Sequence, residues 1–363
     1  MAVLVIAQDT KFADFFICGL LREIMTEGVN RRTVLKSGAT LAGIGAVAGC
    51  TESGNSGSTA TGSLEERAKD EGKVKLATSI TGIEEFNEDF EAETDIEYDQ
   101  LRTDAKKVAT RVIQESKAGK LSFDYRRGSD PDTTISMYEA DVFADVPDSI
   151  AERWPERVRF NGKLIADWMG LKLSLLYDEK EIDRPPSTLS ELATDFGGEY
   201  TMDVRDEFIW VALRERHGEQ KAKELVRKLG EGAEWRDSHY APLKDIARGE
   251  VSMALTYNKF KYYDDFSDIV AEQQLEDLPK IVRQISSVML KNANHPAAAK
   301  VYMRYSQENV QQFLQNTGRP DAYFDPSNVI GNDEFFVWDS EAVSKIDLEA
   351  ESKTWRDLTG LSE

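Results

Sequence analysis

Between residues 74 and 126 the chain alternates short apolar runs with stretches of helical spacing, and this alternation restricts the fold more than any other feature. Residues 74–79 (VKLATS) read as a strand. Residues 82–94 form an amphipathic helix with Ile83, Phe86 and Phe90 on one stripe, and residues 96–101 form a second strand. A long helix over 104–118 turns Val108, Val112 and Ile113 inward, and residues 122–126 make a third strand. This β-α-β-α-β order predicts a parallel sheet with helices on both faces and right-handed crossovers.

The pattern resumes further on. A strongly apolar strand is expected over 168–177 (WMGLKLSLLY), then strands over 200–204 and 251–256 with helices over 207–217, 220–229 and 241–248. A strand over 282–289, two helices over 296–305 and 308–315, and a closing helix over 348–358 complete the reading; a short helix over 64–72 precedes it. There are no internal repeats and no sustained heptads.

With 363 residues and 40% hydrophobic content, the chain can bury one large core or two ordinary ones. Acids outnumber bases 66 to 45, for a net charge of −21. Such a surface repels nucleic acid and anionic membranes, because phosphate binding needs clustered bases. An acidic excess spread along the whole chain resembles that of proteins from salt-loving archaea, where salt shortens the screening length to about 3 Å at 1 M.

The segment before the folded pattern carries its own signals. Arg31 and Arg32, followed by Val34, Leu35 and Lys36, read as a twin-arginine export signal. The weakly apolar stretch 37–49 behind them is short of the roughly 20 residues that span a bilayer. Val47-Ala48-Gly49-Cys50 resembles a lipobox, which makes Cys50 the lipidated first residue of an exported protein anchored at the extracellular face of the membrane. Export signals open shortly before their arginines, so Met25 is the expected start and residues 1–24 an upstream extension. Cys18 and Cys50 are the two cysteines, so the folded part is expected to hold no disulfide. Residues 51–63, rich in Ser, Gly and Thr, read as a flexible tether. The expected organisation is therefore 1–49 signal and extension, 50–63 lipidated cysteine and tether, then folded structure.

Several segments, taken in order, resemble the type II extracellular solute-binding proteins of ABC importers, in particular their ferric-iron-binding branch. KVKLATSITGIEEFNEDFEAETDIEY is similar to that family's first strand, ligand loop and helix. GLKLSLLYDEKEID resembles its hinge-crossing strand, and STLSELATDFGGEYTMDVRD and IARGEVSMALTYN resemble second-lobe strands that end in ligand loops. NANHPAAAKVYMRYSQENVQQFLQNTGRPD resembles its late helices. The resemblance implies an α/β fold of two lobes, each a central sheet flanked by helices, with the ligand in the cleft between them. It places 64–172 and 280–363 in a discontinuous lobe one and 173–279 in lobe two. It implies a monomer that captures a small solute and delivers it to an ABC permease and its ATPase. No cofactor is implied, other than Fe3+ as cargo in the iron reading. The chain contains no G-x-S-x-G elbow and no H-E-x-x-H, and no enzymatic activity is expected.

In open α/β sheets ligands bind beyond the carboxyl ends of strands. That rule nominates Ser79, Thr81 and Gly82 after the first strand, Arg102 and Thr103 after the second, and Arg126, Arg127 and Ser129 after the third. From the second lobe it nominates Asp203, Arg205, Tyr257 and Asn258. Each has a plainer alternative: the hydroxyls as helix caps, the arginines paired with surplus acids, Asp203 fixing a turn. The resemblance adds a metal set of Tyr257, Tyr262 and Tyr263, since phenolate oxygens suit a hard trivalent ion. The competing cargo is an anion or a small organic solute of thiamine or polyamine type, with arginines binding and tyrosines lining the cleft; a remaining alternative is an exported enzyme.

Overall fold

The first strands build a parallel core. β1 (Lys73–Thr78) pairs in parallel with β2 (Glu97–Arg102) on one side and with β3 (Tyr125–Gly128) on the other. The connecting helices Glu84–Thr94 and Ala105–Lys117 bury Ile83, Phe86 and Phe90 from the first expected stripe and Val108 and Val112 from the second, where Ile113 is only half-buried. Asp104 starts the second helix by accepting hydrogen bonds from the Lys106 and Lys107 amides. This computed structural model describes residues 62–361 apart from 153, 155, 171 and 318–322. Arg31, Arg32, Cys50, the start at Met25 and nearly all of the tether fall outside those residues. No helix among the described residues is long and apolar enough to cross a membrane.

The apolar run read as one strand over 168–177 is two. β4 (Arg159–Phe160) pairs with β5 (Leu164–Gly170), which ends in the first sheet; β6 (Leu173–Asp178) begins a second one. Continuous hydrophobicity looks the same whether one sheet buries it or two do. The second sheet adds β7 (Tyr200–Asp203), β8 (Ala233–Arg236), β9 (Met253–Tyr257) and β10 (Val270–Gln273), in the order β10-β6-β9-β7-β8. Its helix Glu219–Gly232 buries Ala222, Leu225, Val226 and Leu229, one face at i, i+3, i+4 and i+7.

The chain then returns to the first sheet through β11 (Lys280–Met289), β12 (Tyr323–Phe324) and β13 (Phe335–Trp338). Strand order there is β12-β5-β11-β3-β1-β2, with β13 beside the start of β11 and β4 beside β5. The helices expected over 296–305 and 308–315 are one helix, Pro296–Asn316, which packs on this sheet. Residues 306 and 307 hold no glycine or proline to break it. The closing helix Leu348–Thr359 does not stay with the first lobe, where the sequence reading grouped it. It packs on the second-lobe helices Glu207–His217 and Glu219–Gly232. Gly230 makes that approach feasible: a Cβ there would lie 2.5 Å from the Thr359 Cα.

Under the first sheet lies a buried charge. Arg127 of β3 donates to Asp167 of β5 from Nε at 3.1 Å and from Nη2 at 2.9 Å, and to Tyr302 at 2.9 Å. Ser287 of β11 and Ser306 also bond to Asp167. Neither charged partner reaches solvent, with side-chain exposures of 3% and 0%. Removing one member of such a pair leaves the other's charge buried and uncompensated. Asp167→Asn is therefore expected to destabilise folding by about 3–5 kcal/mol in denaturant titration. Gly230→Ala should cost roughly 1–3 kcal/mol, by overpacking against backbone that cannot move aside, and should raise amide exchange in Leu348–Thr359 first.

Candidate functional site

A cleft of about 570 Å3 opens between the two sheets. The first lobe supplies the starts of two helices, with Asp104 and Lys106 at one and Asp130, Asp132 and Thr133 at the other. The second lobe supplies Arg205, Glu207, Phe208, His239 and Tyr257. Arg283 and Trp338, from β11 and β13, form part of the lining, and the closing helix adds Glu349, Ser352 and Arg356.

Arg283 joins the lobes. Its Nη1 donates to the Tyr257 hydroxyl of the second lobe at 2.8 Å, and its Nη2 donates to Asp130 Oδ1 of the first at 3.2 Å. Its guanidinium lies 5.6 Å from the centroid of the Phe208 ring. Its Nε has no hydrogen-bond partner. Burial raises the Tyr257 pKa well above the ordinary tyrosine range, so its hydroxyl stays protonated.

Behind this clamp, charges are settled by burial. Arg205 holds Asp203 through Nε at 2.8 Å and Nη2 at 2.6 Å. Burial alone would raise Asp203, but the Arg205 hydrogen bonds outweigh it and keep its carboxyl below the usual range. Asp206 has no such partner. It is 0% exposed, both carboxylate oxygens are unbonded, and burial and the neighbouring Asp203 push its pKa up. His239 packs on Tyr257 at 4.3 Å between ring centroids, with Nδ1 3.7 Å from both Asp203 and Asp206. Burial lowers its pKa to about 3, and the imidazole is neutral.

The nominated residues divide. Arg205 and Tyr257 line the cleft, and Asp203 sits directly behind Arg205. Asn258 follows Tyr257 but is fully buried, its amide bonded to the Lys172 carbonyl at the crossing between sheets. Arg126 points into the first lobe: it is 1% exposed, donates to Thr133, Thr134 and Ser286, and burial lowers its pKa to about 10. Ser79, Thr81, Gly82, Arg102 and Thr103 are not in the lining; the cleft reaches only the residues just after them, from Asp104. The Ser79 hydroxyl is buried without a partner, and Gly82 takes the positive φ of +76° that its residue type permits. Half-exposed Arg102 stands 3.8 Å from Glu84. Tyr262 and Tyr263 also lie off the lining; Tyr263 packs on Phe260 and Tyr240, and Tyr262 against Lys261. Among the described residues, no group of three or more His, Cys, Asp or Glu side chains is placed to hold a metal ion.

Sequence reasoning missed Arg283, Asp130, Glu207 and His239. Arg283 did leave a sign: it is the lone charge in the strand-like stretch 281–290, where a buried charge must have a partner or face a cavity. His239 lies in an irregular stretch after β8, and only the folded chain brings it over Tyr257.

No family model matches this chain, and no curated protein matches it in sequence. Solved structures do resemble it in fold. Iron-bound HitA from Pseudomonas aeruginosa superposes with a TM-score of 0.62 at 15% identity, covering 79% of this chain and 99% of HitA. The binding protein AfuA from Actinobacillus pleuropneumoniae, with fructose-6-phosphate bound, gives 0.61 at 14% identity, with coverages of 80% and 99%. A periplasmic thiamin-binding protein gives 0.60 at 15% identity, with coverages of 79% and 96%. The fold is thus the two-lobed type II periplasmic-binding-protein fold.

The two buried groups titrate in opposite senses. A histidine with a lowered pKa contributes stability above its unfolded value near 6.5 and loses it as pH falls, because only the unfolded chain takes up the proton. Asp206, raised, does the reverse above about pH 4. Between these limits the two act in opposite senses. In His239→Gln only the Asp206 contribution remains. The stability of the original chain relative to this variant should therefore fall by up to about 1.4 kcal/mol per pH unit below pH 6.5, measured by urea titration.

Proposed function

We propose that this chain is the solute-capture component of an ABC importer, exported through the Arg31-Arg32 signal and held at the extracellular face of the membrane by a lipidated Cys50. The cleft carries this reading: residues from both lobes line it, and Arg283 bonds to one residue of each. Closure of two lobes on a bound solute is what presents loaded protein to a permease and its ATPase. A tether over residues 51–63 suits a capture protein working beside its importer. Two acyl chains suffice for stable anchoring. The reading assigns binding rather than catalysis, and a monomer as the working form.

Proteins of similar fold are recorded with iron, with a sugar phosphate and as a thiamin binder. Of these cargoes iron has the least support from the residues, since Tyr257 lines the cleft while Tyr262 and Tyr263 do not.

Native mass spectrometry of gently purified protein should find a small molecule bound in one copy, whose return to stripped protein raises Tm and reduces the radius of gyration. A solute that binds without changing the scattering profile, or a chain that retains and regains none, would overturn capture by closure. In the native host, Cys50→Ala should shift the protein from the membrane fraction to the medium. Equal retention of that variant would sink the anchor.

A further inference from the structure

Resting on the capture reading, we propose that the solute is an organic anion, its carboxylate or phosphate group held by Arg283 between two helix starts, one from each lobe. The helices are Pro131–Glu139 and Glu207–His217, and both begin at the cleft. A helix start carries roughly half a positive charge and exposes amides that suit an anion. The other two helix starts at the cleft are capped by a side chain, Asp104 and Asp347 accepting from backbone amides. Those of Pro131–Glu139 and Glu207–His217 are not: Asp130 and Asp206 stand at the cap positions and neither makes a side-chain cap hydrogen bond.

Arg283 supplies the independent observation. It is 9% exposed, it lines the cleft between these helix starts, and its Nε has no partner. A buried donor left unbonded is costly, so the guanidinium is under-satisfied as it stands. The groups behind it do not supply the missing charge: His239 is neutral, and burial favours the neutral form of Asp206. Asp203 is taken up by Arg205. Asp130 holds Arg283 through one contact of 3.2 Å, in the position an incoming anion would contest, while Asp132 and Glu207 act on it from the lining without a hydrogen bond.

The other acids of the lining describe the rest of the solute. Asp132, Glu207 and Glu349 accept hydrogen bonds and would repel a compact polyanion. They suit a body bearing hydroxyl or ammonium donors beside one anionic group.

Calorimetric titration of the stripped full chain with glycerol 3-phosphate and with glycerate compares the two anionic groups on one polyol body; glycerol and thiamine serve as neutral and cationic controls. At least one of the two anions should bind, and glycerol and thiamine should not. Arg283→Met should weaken the anion by at least about 30-fold. Because Arg283 also joins the lobes, Asp130→Asn provides a second reading of opposite sign. Freeing the guanidinium should tighten anion binding several-fold, whereas a purely structural Asp130 would give no gain. Failure of both anions to bind, equal affinity in Arg283→Met, or unchanged or weaker affinity in Asp130→Asn would overturn the anion assignment. Thiamine binding with closure of the lobes, without either anion binding, would overturn it too while leaving solute capture standing.

Discussion

Two arginines inside the first lobe set the terms for the rest of the structure. Arg126 and Arg127 of β3 are both buried, and the neighbouring strand β11 meets them with Ser286 and Ser287, the second backed by Asp167 of β5. Charges in such a place tolerate little sliding, because a shift of one residue would turn these serines to the other face. The register of β11 between its neighbours is thereby tied to hydrogen bonding and not to apolar packing alone. Arg283 lies three residues before Ser286 on the same strand, so the position of the cleft's central cation follows from an arrangement deep in the lobe.

The cleft uses burial to separate roles among chemically similar groups. Asp203 and Asp206 are three residues apart and equally hidden, yet one is held ionised by Arg205 and the other is driven toward its neutral form. His239, facing both, remains uncharged. A surplus of acid over the whole chain therefore does not make the cleft floor uniformly negative. The chain's net charge of −21 governs its long-range behaviour, while a handful of desolvated pairings govern what the cleft can hold.

Much of the first lobe was legible in the sequence because local rules and tertiary demands agree there. Phe86 and Phe90 fall on one helical stripe and are buried on it; Asp104 is both the expected boundary and the observed cap. Legibility failed where two environments share one pattern. The run 168–177 is apolar throughout, and nothing local reveals that Gly170 closes one sheet and Leu173 opens another. The site followed the same logic. Arg205 and Tyr257 stand at strand ends, where a topological rule could find them, whereas Arg283 lies inside β11 and joins Tyr257 to Asp130, at the helix start after β3, only through the return of that strand. Arg126 misled because an arginine at a strand end looks the same whether it faces the cleft or the core.

The described chain begins on one lobe and finishes on the other. Helix Leu64–Glu71 lies against Pro296–Asn316, whose first amides Glu71 receives, and so rides with the larger sheet. Helix Leu348–Thr359 rides with the smaller one, fastened by Trp355 Nε1 to the Val204 carbonyl at 3.0 Å and by Glu351 to Trp210 and Arg214. The backbone therefore spans the hinge three times: between β5 and β6, between β10 and β11, and after β13. The separation between the two terminal helices thus becomes a ruler for the opening of the cleft, and a dye pair on those helices would report it optically without touching any residue of the lining.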